Sequence, residues 1–135
     1  MAWYWILTLM FLLAWLMQNC IHELSHLVVG WRVCGDKPTG FYPYPHFYEG
    51  KFYFARYEAW LGEKDHYLKH IAPFYAAVIW VWFVGINYLI FNHVGLYVLP
   101  FAVCGSVDAV WWVLGALSKN PENDYNRWKR LKFTH

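Results

Sequence analysis

Three long apolar stretches alternate with polar segments along this chain. They cover about 2–30, 71–91 and 96–117. At 1.5 Å per residue, each is long enough to cross a hydrocarbon core of about 30 Å as a helix. The pattern predicts an all-α membrane protein in which residues 1–135 form a single integral membrane domain with three transmembrane helices.

The segment between the first two stretches, 31–70, is polar and rich in Tyr and Phe. Phe47-Tyr48 and Lys51-Phe52-Tyr53-Phe54 flank Glu49-Gly50, which predicts a short β-hairpin lying against the membrane. Upstream, Pro43 and Pro45 confine the chain to a sheet edge or a loop. Charged residues alternate with apolar ones over 57–69 and predict a turn or two of amphipathic helix at the interface.

The basic residues indicate how the chain crosses the membrane. All eleven Lys and Arg lie in two places, six within 32–69 and five within 119–132. With three spans these segments share one side, and the positive-inside rule makes that side cytoplasmic. We therefore expect an outside N-terminus, a cytoplasmic loop at 31–70, an outer turn at 92–95 and a cytoplasmic tail at 118–135. Since topology explains these charges, no nucleic-acid partner is expected.

A polar motif, His22-Glu23-Leu24-Ser25-His26, interrupts the first apolar stretch. Two histidines four residues apart on a helix lie on one face, about 40° apart. This H-E-x-x-H spacing suits two ligands of one Zn²⁺, with the glutamate left free to act as a general base toward water. The motif predicts a zinc site with His22 and His26 as ligands and Glu23 as the catalytic residue.

Only two acidic residues, Glu23 and Asp108, lie within the apolar stretches. A carboxylate at that depth costs roughly 2.5–3.5 kcal/mol, so it requires a partner or a function. The first and third spans run in the same direction, and His22, His26 and Asp108 lie at similar depths from their cytoplasmic ends. Asp108 is therefore a candidate third ligand, which would leave one zinc position open, as in hydrolytic sites.

These features together resemble the site-2 protease family of intramembrane zinc metalloproteases. The resemblance rests on His22-Glu23-Leu24-Ser25-His26, on the polar aromatic loop, on Ile71-Ala72-Pro73 and on a later aspartate. It implies Zn²⁺ as the cofactor and membrane-embedded or membrane-adjacent polypeptides as substrates. In that family the third ligand is an aspartate followed by glycine, often after an Asn-Pro-like segment.

Two aspartates compete for that third position. Asp124 follows Asn120-Pro121, but Tyr125 stands where the family has glycine. Gly105-Ser106-Val107-Asp108 resembles the aspartate-bearing helix of small relatives. The similar depth of Asp108 and the two histidines favours Asp108 over Asp124. A third alternative is that neither aspartate is a ligand. Gly105 and a second glycine, Gly115, would let the first helix approach closely.

The expected function is that of a zinc metalloendopeptidase that hydrolyses peptide bonds within or beside the lipid bilayer. Asn87 is a candidate oxyanion donor by residue type only. The first alternative is a metal-binding membrane protein without protease activity, such as an adaptor or an inactive homologue. The second is a metal-free cluster of buried polar groups. Because three spans form a thin shell around such a site, a homo-oligomer or an accessory protein could complete its shielding.

Overall fold

The computed structural model describes residues 2–90 and 98–133. Helix α1 spans Ala2–Val29 and continues as a π-helical turn, Gly30–Cys34. Helix α2 spans Tyr67–Ile90. Helix α3 spans Leu99–Leu114 and is followed by a 3₁₀ turn, Gly115–Leu117. These three helices are long and apolar enough to cross a membrane, which confirms that part of the prediction. The expected turn at 92–95 lies outside the described residues.

The three long helices pack against one another and expose many large apolar side chains. Ala14 on α1 and Ala77 on α2 are buried where the helices meet. In contrast, Trp82, Leu89 and Trp111 are 69%, 80% and 74% exposed. Apolar surface of this extent is unfavourable in water and matches the hydrocarbon of a bilayer.

Two small antiparallel sheets connect α1 to α2. In the first, β1 (Lys37–Tyr42) pairs with β4 (Arg56–Trp60); in the second, β2 (His46–Tyr48) pairs with β3 (Lys51–Tyr53). The predicted β-hairpin is the second sheet. Its two-residue turn has positive φ at Glu49 (51°) and Gly50 (78°), the geometry that matches the twist of paired strands.

The interfacial helix expected at 57–69 is wrong for most of its length. Strand β4 occupies its first part, because its backbone groups pair with those of β1. Helix α2 begins at Tyr67, four residues before the predicted start of the second span. Pro73 consequently lies inside α2 rather than in its first turn.

The polar tail contains a fourth helix, α4 (Asp124–Phe133), which the sequence pattern did not indicate. The Asn123 side-chain oxygen accepts a hydrogen bond from the backbone N–H of Asn126 (2.8 Å) and caps its start. The Asn123 amide also donates to the carbonyl of Gly115 (3.0 Å), and Trp128 packs edge-on against Trp112 of α3. These contacts fold the tail back against the helix ends.

The two glycines on and after α3 do not serve the approach of α1 in the way we expected. A Cβ at Gly105 would lie 2.7 Å from the Val81 side chain of α2, so this glycine chiefly admits α2. A Cβ at Gly115 would lie 3.0 Å from Cβ of Tyr125, so that glycine admits the start of α4.

Candidate metal centre

The H-E-x-x-H motif lies in the last two turns of α1, where the sequence predicted it. The imidazole rings of His22 and His26 face the same side of the helix with their centroids 5.1 Å apart. The Ser25 hydroxyl donates to the carbonyl of His22 (2.6 Å) and stays within the helix. Helical spacing alone therefore brings the two rings together.

Asp124, the first residue of α4, meets both rings. Its Oδ2 atom lies 3.0 Å from Nε2 of His26 and 3.5 Å from Nε2 of His22. One potential ligand atom from each of these three residues lies within 4.8 Å of the other two. Within residues 2–90 and 98–133, these three side chains form the group that could hold a metal ion, which we call the cluster. The less favoured aspartate of the sequence analysis is thus the one that lies within reach of both histidines.

Asp108, the third ligand that the sequence analysis favoured, contacts His22 but lies outside this three-residue cluster. Asp108 lies on the opposite side of the His22 ring, where its Oδ1 accepts a hydrogen bond from Nδ1 (3.0 Å). Its other oxygen, Oδ2, accepts a hydrogen bond from the Gln18 amide (2.8 Å). Asp108 thus lies beside the motif, as expected from its depth, but it meets Nδ1 of His22, whereas Asp124 meets Nε2.

The second histidine is held in the same way by a different acceptor. Nδ1 of His26 lies 2.7 Å from the backbone carbonyl of Lys69 on α2, and His26 is buried. Since carbonyl and carboxylate oxygens only accept, both Nδ1 atoms carry the proton. Each Nε2 atom faces Asp124, where it donates to the carboxylate while it carries a proton and would offer its lone pair to a metal that replaced that proton, as in metal sites whose histidines donate their other N–H to an oxygen.

The donor set and its spacing fit a zinc-type metal ion. Two imidazole nitrogens and one carboxylate oxygen are common ligands of catalytic Zn²⁺. With bonds of about 2.0–2.1 Å, a tetrahedral site separates its ligand atoms by about 3.4 Å, and the distances of 3.0 and 3.5 Å lie on either side of that value. Burial raises the pKa of the Asp124 carboxyl, but hydrogen bonds from His22 and His26 outweigh it, so its pKa lies well below the ordinary range.

Glu23 lies beside the cluster without belonging to it. It lines a cleft of about 610 Å³ between α1, α3 and residues 52–55, which we call the hairpin cleft. A second cleft of about 570 Å³, the tail cleft, lies between α3 and residues 123–125 and is lined by Asp124. His22 lines both clefts, so the cluster is accessible from two directions.

Tyr57 of β4 is a further component that sequence reasoning missed. Its ring stacks on His26 with centroids 5.6 Å apart and planes 24° apart. Burial, together with the nearby Glu23 and Asp124, raises the pKa of the Tyr57 phenol, which stays neutral. No sequence signal pointed to it, because the contact depends on how β4 packs on α1.

Two other polar side chains of the helices, Asn87 and Asn19, form hydrogen bonds away from the cluster. Asn87, the oxyanion candidate by residue type, donates to the carbonyl of Phe83 within its own helix (2.8 Å). Asn19 lines the hairpin cleft and donates to the carbonyl of Phe54 (3.4 Å), which ties the hairpin to α1.

Comparison with family models, with characterised proteins and with solved structures finds no match for this chain. The function must therefore be argued from the geometry of the site itself.

Proposed function

We propose that this protein is an intramembrane zinc metalloprotease that resembles the site-2 protease family. The observation that carries the proposal is the convergence of three ligand atoms, His22 Nε2, His26 Nε2 and Asp124 Oδ2, beside an unligated glutamate. A structural site would not require Glu23, whereas peptide hydrolysis requires a base next to the metal. The position of Asp124 after Asn120-Pro121 is a further point of resemblance to that family.

Each residue has a distinct part in the proposed chemistry. His22, His26 and Asp124 hold the metal, and Asp108 and the Lys69 carbonyl fix the two rings. A bound Zn²⁺ would supply Lewis acidity toward the scissile carbonyl and would lower the pKa of a water molecule beside it. Glu23 accepts the proton of the attacking water and passes it to the leaving amine.

The substrate approaches through the hairpin cleft, because that cleft contains Glu23 and His22. Its volume of about 610 Å³ is in the range of sites that take several side-chain-sized groups. Within the described part of the chain, β3 pairs only with β2, so its other edge is unpaired. An extended substrate segment could add to that edge through backbone hydrogen bonds and be held against the glutamate.

The same contacts support the expected membrane arrangement. The loop sheets and α4 contact the motif-bearing end of α1, so all the basic residues lie at one end of the helices. We propose that this end is cytoplasmic and that the N-terminus is outside. Phe47 and Phe52, 77% and 49% exposed on the hairpin, would then contact the bilayer surface.

The test compares zinc content and cleavage of a transmembrane model peptide by the purified protein in lipid. Wild type should bind one zinc per chain and cleave, whereas Glu23→Gln should bind zinc without cleaving. Glu63→Gln, an exposed loop glutamate, is the matched control and should behave as wild type. Zinc binding with no cleavage by wild type would favour a metal-binding protein without protease activity. Absence of bound zinc would leave only the metal-free cluster.

A further inference from the structure

Pro73 lies in the seventh position of α2 and is fully buried. An interior helical residue normally donates its N–H to the carbonyl four residues earlier, which here belongs to Lys69. Proline has no N–H, and its ring pushes that carbonyl away from the helix axis. The carbonyl of Lys69 is therefore left without its intrahelical partner.

That same carbonyl is the acceptor for His26. The Nδ1–H group of His26 donates to it over 2.7 Å, in a buried position where water cannot replace the bond. The unfilled acceptor on α2 and the histidine on α1 satisfy each other across the helix interface.

The residue that carries the carbonyl is itself held from a third direction. The Lys69 ammonium is 2.7 Å from the Asp36 carboxylate, and both side chains are buried. Asp36 also accepts a hydrogen bond from the backbone N–H of Gly62 (2.8 Å). Asp36 thus connects three segments beside the metal centre: the turn after α1, the loop before α2 and the start of α2.

We propose that Pro73 is a positioning residue of the metal centre. By withholding an N–H, it reserves the Lys69 carbonyl for the Nδ1–H group of His26, and this hydrogen bond orients the ring so that Nε2 faces Asp124 as the ligand atom. The inference rests on the proposed function only in taking His26 as a metal ligand. It explains why a helix-disfavoured residue occupies a buried interior position next to the site.

The variant Pro73→Ala tests this proposal because it restores an N–H that competes for the Lys69 carbonyl. We expect the zinc dissociation constant, measured by chelator competition, to rise at least about tenfold, the lower end for loss of such a hydrogen-bond partner. In the zinc-free protein the gain in helix propensity opposes the cost of the lost His26 hydrogen bond, so zinc affinity rather than melting temperature carries the test. A role in packing alone would lower the melting temperature and leave zinc affinity unchanged.

Pro100→Ala is the matched control. Pro100 is also fully buried in a membrane helix, but it lies in the first turn of α3, where its missing N–H has no helical partner. We expect its zinc affinity to stay within twofold of wild type. An equal loss of affinity in both proline variants, or no loss in Pro73→Ala, would overturn the proposal.

A second measurement does not depend on zinc binding. Nitrogen-15 spectra of the zinc-free protein, labelled at histidine, should show Nδ1 of His26 protonated in wild type, with its signal shifted in Pro73→Ala. If wild type binds no zinc but these spectra behave as expected, the proposed function fails and the hydrogen-bond device stands. If Pro73→Ala does not fold, the wild-type spectrum decides, because an unprotonated Nδ1 would overturn the proposal.

Discussion

Removing one carboxylate at a time separates the ligand from its neighbour. Asp124→Asn removes the charge closest to both Nε2 atoms, at 3.0 and 3.5 Å. Asp108→Asn leaves one oxygen to accept from both Nδ1 of His22 and the Gln18 amide. In the wild type, Nδ1 is 3.0 Å from Oδ1 and 3.3 Å from Oδ2, and the Gln18 amide donates to Oδ2. Loss of an outer hydrogen-bond partner costs 10- to 100-fold in metal affinity. We therefore expect Asp108→Asn to weaken zinc binding about tenfold, or about 1.4 kcal/mol.

For Asp124→Asn, which alters a direct ligand, we expect a loss greater than about 100-fold, above the range for outer partners. The assay is competition with a chromogenic zinc chelator in detergent, with circular dichroism to verify the fold. Glu122→Gln is the control, since it removes a nearby exposed charge on the same tail, paired with Arg127. If Asp108→Asn loses more affinity than Asp124→Asn, the third ligand lies on α3 and the reasoning is refuted.

Three further predictions follow from contacts around the site. Gly30→Ala would place a Cβ 2.5 Å from Asp36 Oδ2 and should lower the free energy of unfolding by about 1–3 kcal/mol in thermal melts. Gly85→Ala is the control, because Gly85 has open space around it and its substitution should not clash. Equal effects of the two substitutions would contradict this prediction. Tyr57→Phe should retain zinc affinity, because the ring still stacks on His26, whereas Tyr57→Ala should lose several-fold in the same titration; an unchanged Ala variant would show that stacking is unimportant. Zinc at 100 times its dissociation constant should stabilise the fold by about 2.7 kcal/mol, and a chelator should reverse this; a melt insensitive to zinc would contradict it.

The features that depend on local periodicity were predictable from the sequence. Helical spacing fixes the mutual placement of His22 and His26 wherever the helix goes. The hairpin turn was also predictable, because Glu49-Gly50 separates two aromatic runs. Both residues adopt the positive φ that a two-residue turn needs. Apolar length alone located three spans, with ends that differ from the structure by a few residues.

The third carboxylate was not predictable in this way. Asp124 belongs to a ten-residue helix that is polar in composition and depends on packing against α2 and α3, including that of Trp128 against Trp112, to fold back. We ranked Asp124 below Asp108 because we expected the tail to extend away from the ends of the membrane helices. Two signals were nevertheless present: Asn123 as a helix cap and the Asn120-Pro121 pair before the aspartate.

The structural use of Pro73 also escaped the sequence reasoning. A proline near the predicted start of a span indicates a first helical turn. In the structure α2 begins earlier, because the segment after β4 folds into the helix from Tyr67. Only the assembled helices show that the carbonyl freed by this proline faces a histidine of another helix.

The most direct test of the central claim is X-ray absorption at the zinc edge of purified wild-type protein loaded with one zinc per chain. The account predicts two imidazole nitrogens and a carboxylate oxygen at about 2.0–2.2 Å, with the carboxylate contribution lost in Asp124→Asn. A spectrum with fewer than two imidazoles, or one that Asp124→Asn leaves unchanged, would contradict the account.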